Sequence, residues 1–115
     1  MLIDSKENMK ISWNSLNKRF NLNIKFDKYL HNIGLPFKKI LKNLGIKNHF
    51  KIYQNYYSKV SKKNLKKIKL YPDVIKTLRF LKSKNIKIAI VTSKDQIRTK
   101  KIIEQNFKNI KFDLI

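Results

Sequence analysis

Cysteine is absent from this sequence, and glycine and proline nearly so, with two of each in 115 residues. Without thiols there is no disulfide framework, no thiolate nucleophile and no soft metal site, which suits a reducing compartment. So few breakers, beside 42% apolar residues, exclude a disordered or loop-dominated chain and point to long helices. No apolar run nears the roughly 18 residues that span a bilayer, and the N-terminus lacks the charged-then-apolar order of a secretion signal. A soluble, cytoplasmic protein without membrane attachment is therefore expected. Gly34 and Gly45 are the only glycines, so no glycine-rich phosphate loop exists. His31 and His49 stand too far apart to suggest a metal pair, and neither has a carboxylate cluster around it.

Acidic residues are scarce as well. Seven carboxylates face 28 cations, for a formal charge of +21. Only Arg19, Arg79 and Arg98 are arginine, the residue suited to bidentate phosphate and base recognition; the other 25 cations are lysines, spread from Lys6 to Lys111 among abundant Asn and Ile. Two readings stay open: an AT-rich coding bias expressed at solvent positions, or a surface that binds nucleic acid or another polyanion. The densest run, Lys59 to Lys69, is the candidate patch for the second, although Val60, Leu65 and Ile68 within it suggest a helix end and a linker.

Helical spacing fills the first half. Asp4 and Glu7 have the spacing of a capping box, followed by Met9, Trp13, Leu16 and Phe20 on one face, with Trp13 a packing anchor. A short element is expected around Phe26, Tyr29 and Leu30. Ile33-Gly34-Leu35-Pro36 reads as a turn with proline at the first position of a helix that buries Phe37, Ile40, Leu41 and Leu44 and ends at Gly45 in a left-handed cap. The next helix, from Asn48, carries Ile52, Tyr53, Tyr56, Tyr57 and Val60 on one side, so its tyrosines read as packing residues more than as a platform for bases.

At about Lys67 to Pro72 the pattern changes from helix after helix to alternating helix and strand. A helix over 73–84 buries Val74, Leu78 and Leu81. A strand over 86–91, a helix over 95–106 with Ile103 and Phe107 inward, and a second strand from Phe112 follow, an order that requires a parallel crossover. The expected fold class is α/β, a helical module at 6–66 followed at 67–115 by the start of a doubly wound parallel sheet, with 1–5 as the hinge between them.

The run Ile88-Ala89-Ile90-Val91 ends abruptly in Thr92-Ser93-Lys94. An apolar run of this kind suits a strand buried on both faces of a parallel sheet, and such sheets bind ligands at the carboxyl ends of their strands. Two hydroxyls and an ammonium there form either a polar turn or a receptor for phosphate.

Leu70-Tyr71-Pro72-Asp73-Val74, the spacing through Leu78 and Leu81, the run Ile88 to Lys94 and Phe112-Asp113 downstream together resemble the haloacid dehalogenase-like hydrolases, nearest to their phosphoglycolate phosphatase and β-phosphoglucomutase branch. Leu2-Ile3-Asp4-Ser5 is similar to the residues that follow the family's Asp-x-Asp-Gly-Thr nucleophile motif, and Ile33 to Phe37 resembles the substrate loop of its helical cap. The resemblance implies hydrolysis of a small phosphorylated metabolite through an aspartyl-phosphate, with Mg²⁺ as cofactor. It implies that Thr92, with Ser93 and Lys94 beside it, holds the phosphate, and that the cap loop at Gly34, Leu35, Pro36 and Lys38 meets the organic group. It also implies a departure. The nucleophile pair would lie before Met1, the later catalytic lysine and acidic pair beyond Ile115, and none of Asp4, Glu7, Asp27, Asp73, Asp95, Glu104 and Asp113 forms an Asp-x-Asp pair. A fragment without catalytic residues or metal ligands is expected, with a polyanion-binding protein or a catalytically inert remnant as the alternatives.

Overall fold

The computed structural model describes residues 2–92 and 94–115. The chain divides into two compact units, one formed by residues 5–67 and the other by 1–4 with 68–115.

The helical unit contains α1 (Lys6–Phe20), α2 (Phe26–Leu30), α3 (Phe37–Asn43), α4 (Phe50–Lys63) and a 3₁₀ turn at Leu65–Lys67. Its core is Trp13, Leu16, Phe26, Tyr29, Ile40, Leu41 and Tyr57, ringed by half-buried Met9, Phe20, Phe37, Leu44, Tyr53 and Tyr56. The helical spacing therefore identified its inner faces, and the tyrosines are packing residues. Trp13 is fully buried, stacks on Tyr29 with ring centroids 4.6 Å apart, and donates its indole N–H to the Ile24 carbonyl at 2.8 Å. An aromatic of this size buried with its polar atom satisfied contributes more than any other single side chain of such a unit.

A polar knot sits beneath that core. The buried Asn8 amide donates to the carbonyls of Ser61 at 3.0 Å and Asn64 at 2.9 Å and accepts from the Ser61 hydroxyl at 2.8 Å. These carbonyls belong to the C-terminal end of α4, where intrahelical donors run out, so a side chain from α1 caps α4. Helix α3 ends as its glycine foretells: Gly45 has φ +87°, its N–H reaches the Lys42 carbonyl, and the Ile46 N–H reaches Leu41. This is the paired hydrogen-bond closure that a left-handed residue permits.

Three local expectations are corrected here. The capping box does not form: Ser5 is the N-cap of α1 without a side-chain cap bond, because Asp4 is drawn into a strand. Pro36 precedes α3 as its N-cap instead of occupying its first position. Ile52 is 54% exposed, lying beyond the edge of the face that Tyr53, Tyr56 and Tyr57 pack.

The second unit opens with β1 (Ile3–Asp4), paired antiparallel with β2 (Lys69–Leu70) in the register Ile3 to Leu70 and Asp4 to Lys69. Helices α5 (Val74–Ser83) and α6 (Gln96–Asn106) follow. Leu78, Phe107 and Ile110 form its core, with Leu2, Ile3, Leu70, Val74, Ile75, Ile88, Ile103 and Phe112 packed around them. α5 closes like α3, with Asn85 at φ +59° in glycine's place and the Ile86 N–H on the Leu81 carbonyl at 3.1 Å. After α6 the chain returns to pair Leu114 with Ala89 in parallel, held by Ile90 N–H to the Leu114 carbonyl at 2.8 Å and Asp113 N–H to the Ile88 carbonyl at 2.7 Å. A helical module followed by the start of a parallel α/β sheet is thus the architecture.

The segment 86–91 is not, however, the doubly buried strand expected of it. Its pairing is confined to the bridge at Ala89, Ile86 is 47% exposed and Val91 96%. An apolar run is buried on both faces only where strands flank both its edges, and here the Asp113–Leu114 segment pairs with one.

Candidate phosphate site

The segment 88–92 is held at its start by a carboxylate. Asp113 accepts from the Ile88 N–H at 2.7 Å and from the Lys82 ammonium at 2.6 Å. The Lys82 contact first, then the Ile88 N–H, holds the Asp113 carboxyl below its usual range. From that anchor the chain runs to Thr92, an exposed residue at the carboxyl end of the run.

The Thr92 hydroxyl oxygen accepts from the Lys94 backbone N–H at 3.1 Å. This local turn occupies a lone pair of the hydroxyl and leaves its proton to be donated to an incoming acceptor. Two residues on, Asp95 caps α6, accepting from the Arg98 N–H at 2.9 Å, and its other oxygen meets the Arg98 guanidinium Nε. Thr99, buried, donates its hydroxyl to the Asp95 carbonyl at 2.8 Å and fixes the turn from inside. Lys94 is partly buried, and that burial, with the Arg98 charge next, pushes its ammonium down from 10.5 to about 8; Asp95 opposes the shift. The result is a cation poorly hydrated by its surroundings, beside a hydroxyl with a proton to give. That pair suits a doubly charged oxyanion, which would supply both the missing acceptor and the missing counter-charge.

Beside this strand end lies a groove of about 330 Å³ lined by Leu2, Ile3, residues 89–92, Lys94 and the α6 side, with Thr99, Ile102, Ile103 and Phe107. Its lining is apolar apart from Thr92, Lys94 and Thr99, and no carboxylate lines it. Of the three strand-end residues named from the sequence, the structure brings Thr92 and Lys94 together; Ser93 lies outside the described residues. The loop residues fall in the helical unit. Gly34 has φ +101°, Leu35 is 40% exposed, Pro36 and Lys38 are exposed, and the Lys38 ammonium lies 5.5 Å from the Phe50 ring centroid. Sequence reasoning missed Thr99 and the Asp95–Arg98 pair. The Asp-x-x-Arg spacing at a helix start carried the signal for that pair.

A family model described as haloacid dehalogenase-like hydrolase matches residues 1–115. The chain belongs to this family. Among solved structures, it is similar to a haloacid dehalogenase-like hydrolase from Bacteroides fragilis (TM-score 0.90, 25% identity, covering 100% of this chain and 57% of that one). A hydrolase from Pseudomonas syringae (TM-score 0.80, 18% identity, 99% and 57%) and a β-phosphoglucomutase from Thermotoga maritima (TM-score 0.66, 21% identity, 98% and 55%) share the fold. The chain thus spans a little over half the length of these structures. No curated protein sequence matches it.

Haloacid dehalogenase-like hydrolases generally use Mg²⁺, a hard cation that takes carboxylate and other oxygen ligands. The residues of this chain do not fit that ion: among the described residues no group of three or more His, Cys, Asp or Glu could hold a metal. Nor, among them, is any helix long and apolar enough to cross a membrane.

Proposed function

We propose that this haloacid dehalogenase-like chain supplies the phosphate-holding strand end of a phosphatase of the phosphoglycolate phosphatase type. In its complete form the enzyme hydrolyses a small phosphate ester through an aspartyl-phosphate, with the attacking and proton-transferring carboxylates lying outside residues 2–115. Thr92 donates its hydroxyl proton to a phosphoryl oxygen, and the Lys94 ammonium balances the charge; both act by holding the group where it reacts. The exposed loop at Gly34, Leu35, Pro36 and Lys38 is the segment that meets the organic part of the ester. The observation that carries the reading is the Thr92 hydroxyl, its oxygen engaged by the Lys94 N–H and its proton unassigned, beside an ammonium that burial has stripped of water. Calorimetric titration tests it. 2-Phosphoglycolate and inorganic phosphate should bind in the millimolar range with glycolate silent, and Thr92→Val should weaken both phosphates about tenfold, the weight of one charge-assisted hydrogen bond. Equal binding by the variant would refute it.

A second reading has one observation of its own. Residues 28–72 hold twelve lysines and no aspartate or glutamate, and every cation of the helical unit is exposed. Such a surface suits a polyanion, and a steep fall of duplex DNA affinity with salt would support it over the phosphatase reading.

A further inference from the structure

The segment that carries Thr92 has one edge in use. Ile88 and Ile90 direct their main-chain groups toward Asp113 and Leu114. In an extended chain successive residues present N–H and C=O to opposite edges, so Ala89 and Val91 turn theirs the other way. Neither makes a main-chain hydrogen bond to another described residue. Bare donors and acceptors two residues apart are a template for another strand. The surroundings match that template: the groove beside it is floored by Ile102, Ile103 and Phe107 and edged by Leu2 and Ile3, and Val91 stands 96% exposed at its mouth. A small polar ligand would leave this lining wet, and a globular apolar ligand would leave the main-chain groups unanswered. An extended apolar peptide satisfies both. Structures that superpose on the whole of this chain at a TM-score of 0.90 contain substantially more polypeptide, of which the chain covers 57%.

We propose that this groove is an acceptor for one extended, predominantly apolar strand supplied by polypeptide outside residues 2–115, which hydrogen-bonds to Ala89 and Val91 and lays alternate side chains on α6. Recognition is by strand addition, in which main-chain bonds give affinity and the apolar floor selects the side chains. The inference is independent of phosphate binding, since strand pairing needs neither the Thr92 hydroxyl nor the Lys94 ammonium.

The test uses the full chain and a fluorescein-labelled octapeptide, acetyl-Glu-Thr-Val-Val-Ile-Val-Thr-Glu-amide, in 0.5 M NaCl to suppress attraction to the lysines. The expected result is saturable binding that slows amide exchange at Ala89 and Val91 at least tenfold. The same peptide N-methylated at its four central residues, equal in charge but unable to donate, should bind at least tenfold more weakly. Val91→Pro removes an N–H that has no partner here and changes an exposed side chain, so it should leave the circular dichroism intact and weaken the parent peptide at least tenfold. Thr92→Val should bind the peptide as the parent chain does, which separates this proposal from the phosphate reading. Equal affinity of the methylated peptide, undiminished binding by Val91→Pro, or protection falling on other amides would overturn the proposal. So would self-association that protects the same amides without peptide, which would assign the groove to a second copy.

Discussion

Replacing Lys94 by methionine should stabilise the chain at neutral pH, and the size of the gain should vary with pH in a defined window. The ammonium is partly buried and sits near the Arg98 guanidinium, while Asp95, the nearest opposing charge, is shared with Arg98. Its pKa therefore drops from 10.5 in the open chain to about 8 in the fold. A shift of that size corresponds to about 3 kcal/mol as an order of magnitude. The unfolded state is the one that keeps the proton between about pH 8 and 10.5, so stability rises with pH across that window, and the full cost of the charge is present below about pH 8. Urea denaturation followed by far-ultraviolet circular dichroism at pH 6 to 10 measures this for parent and Lys94→Met. The variant should be the more stable by about 1–3 kcal/mol at pH 7, with the difference shrinking as pH approaches 10. Subtracting one curve from the other removes the titration of the remaining lysines. Saturating phosphate should also shrink the difference, because a bound dianion restores the preference for the ammonium. A pH-independent difference, or a variant less stable at pH 7, would refute the reasoning.

Asn8→Ala should destabilise the helical unit by about 2–4 kcal/mol, read as a lower urea midpoint of Trp13 fluorescence, since it strands the Ser61 hydroxyl and the carbonyls of Ser61 and Asn64 in a buried place. Asp113→Asn should loosen the segment that leads to Thr92, seen as faster amide exchange at Ile88; in the parent the same loosening should set in as pH falls through the depressed carboxyl range of Asp113, because a lowered pKa means stability present above the unfolded value and lost below the folded one. Because none of the seven carboxylates forms an Asp-x-Asp pair, the purified chain with Mg²⁺ should leave p-nitrophenyl phosphate at the buffer rate, and turnover above it would contradict the assignment of the attacking groups to polypeptide outside residues 2–115.

Periodicity exposed most of the helical unit in advance. Trp13 and Leu16, Ile40 and Leu41, and Tyr57 fall on the faces that helical spacing assigns them, because burial of one stripe is what makes a surface helix form at all. The Asn8–Ser61 knot could not be read this way: both are polar, they lie 53 residues apart, and polar residues ordinarily mark the outer face. β1 and β2 were invisible for a different reason, since two residues carry no period, and their pairing diverted Asp4 from the helix cap its spacing suggested. The apolar run at 86–91 was identified correctly as a parallel partner but credited with two neighbours where the structure provides one. At the strand end, hydroxyl and ammonium were legible from their chemistry. Their states were not, because the turn that binds the Thr92 oxygen and the burial that lowers Lys94 are properties of folding around α6.

The account rests on Thr92 and Lys94 acting together on phosphate, and an amide-resolved NMR titration with inorganic phosphate at pH 7 and 0.3 M NaCl tests that most directly. The largest saturable shifts should fall on Thr92, Lys94 and the first turn of α6, and Thr92→Val should abolish them. Small, unsaturating shifts spread over the exposed lysines of both units, unchanged in the variant, would contradict it.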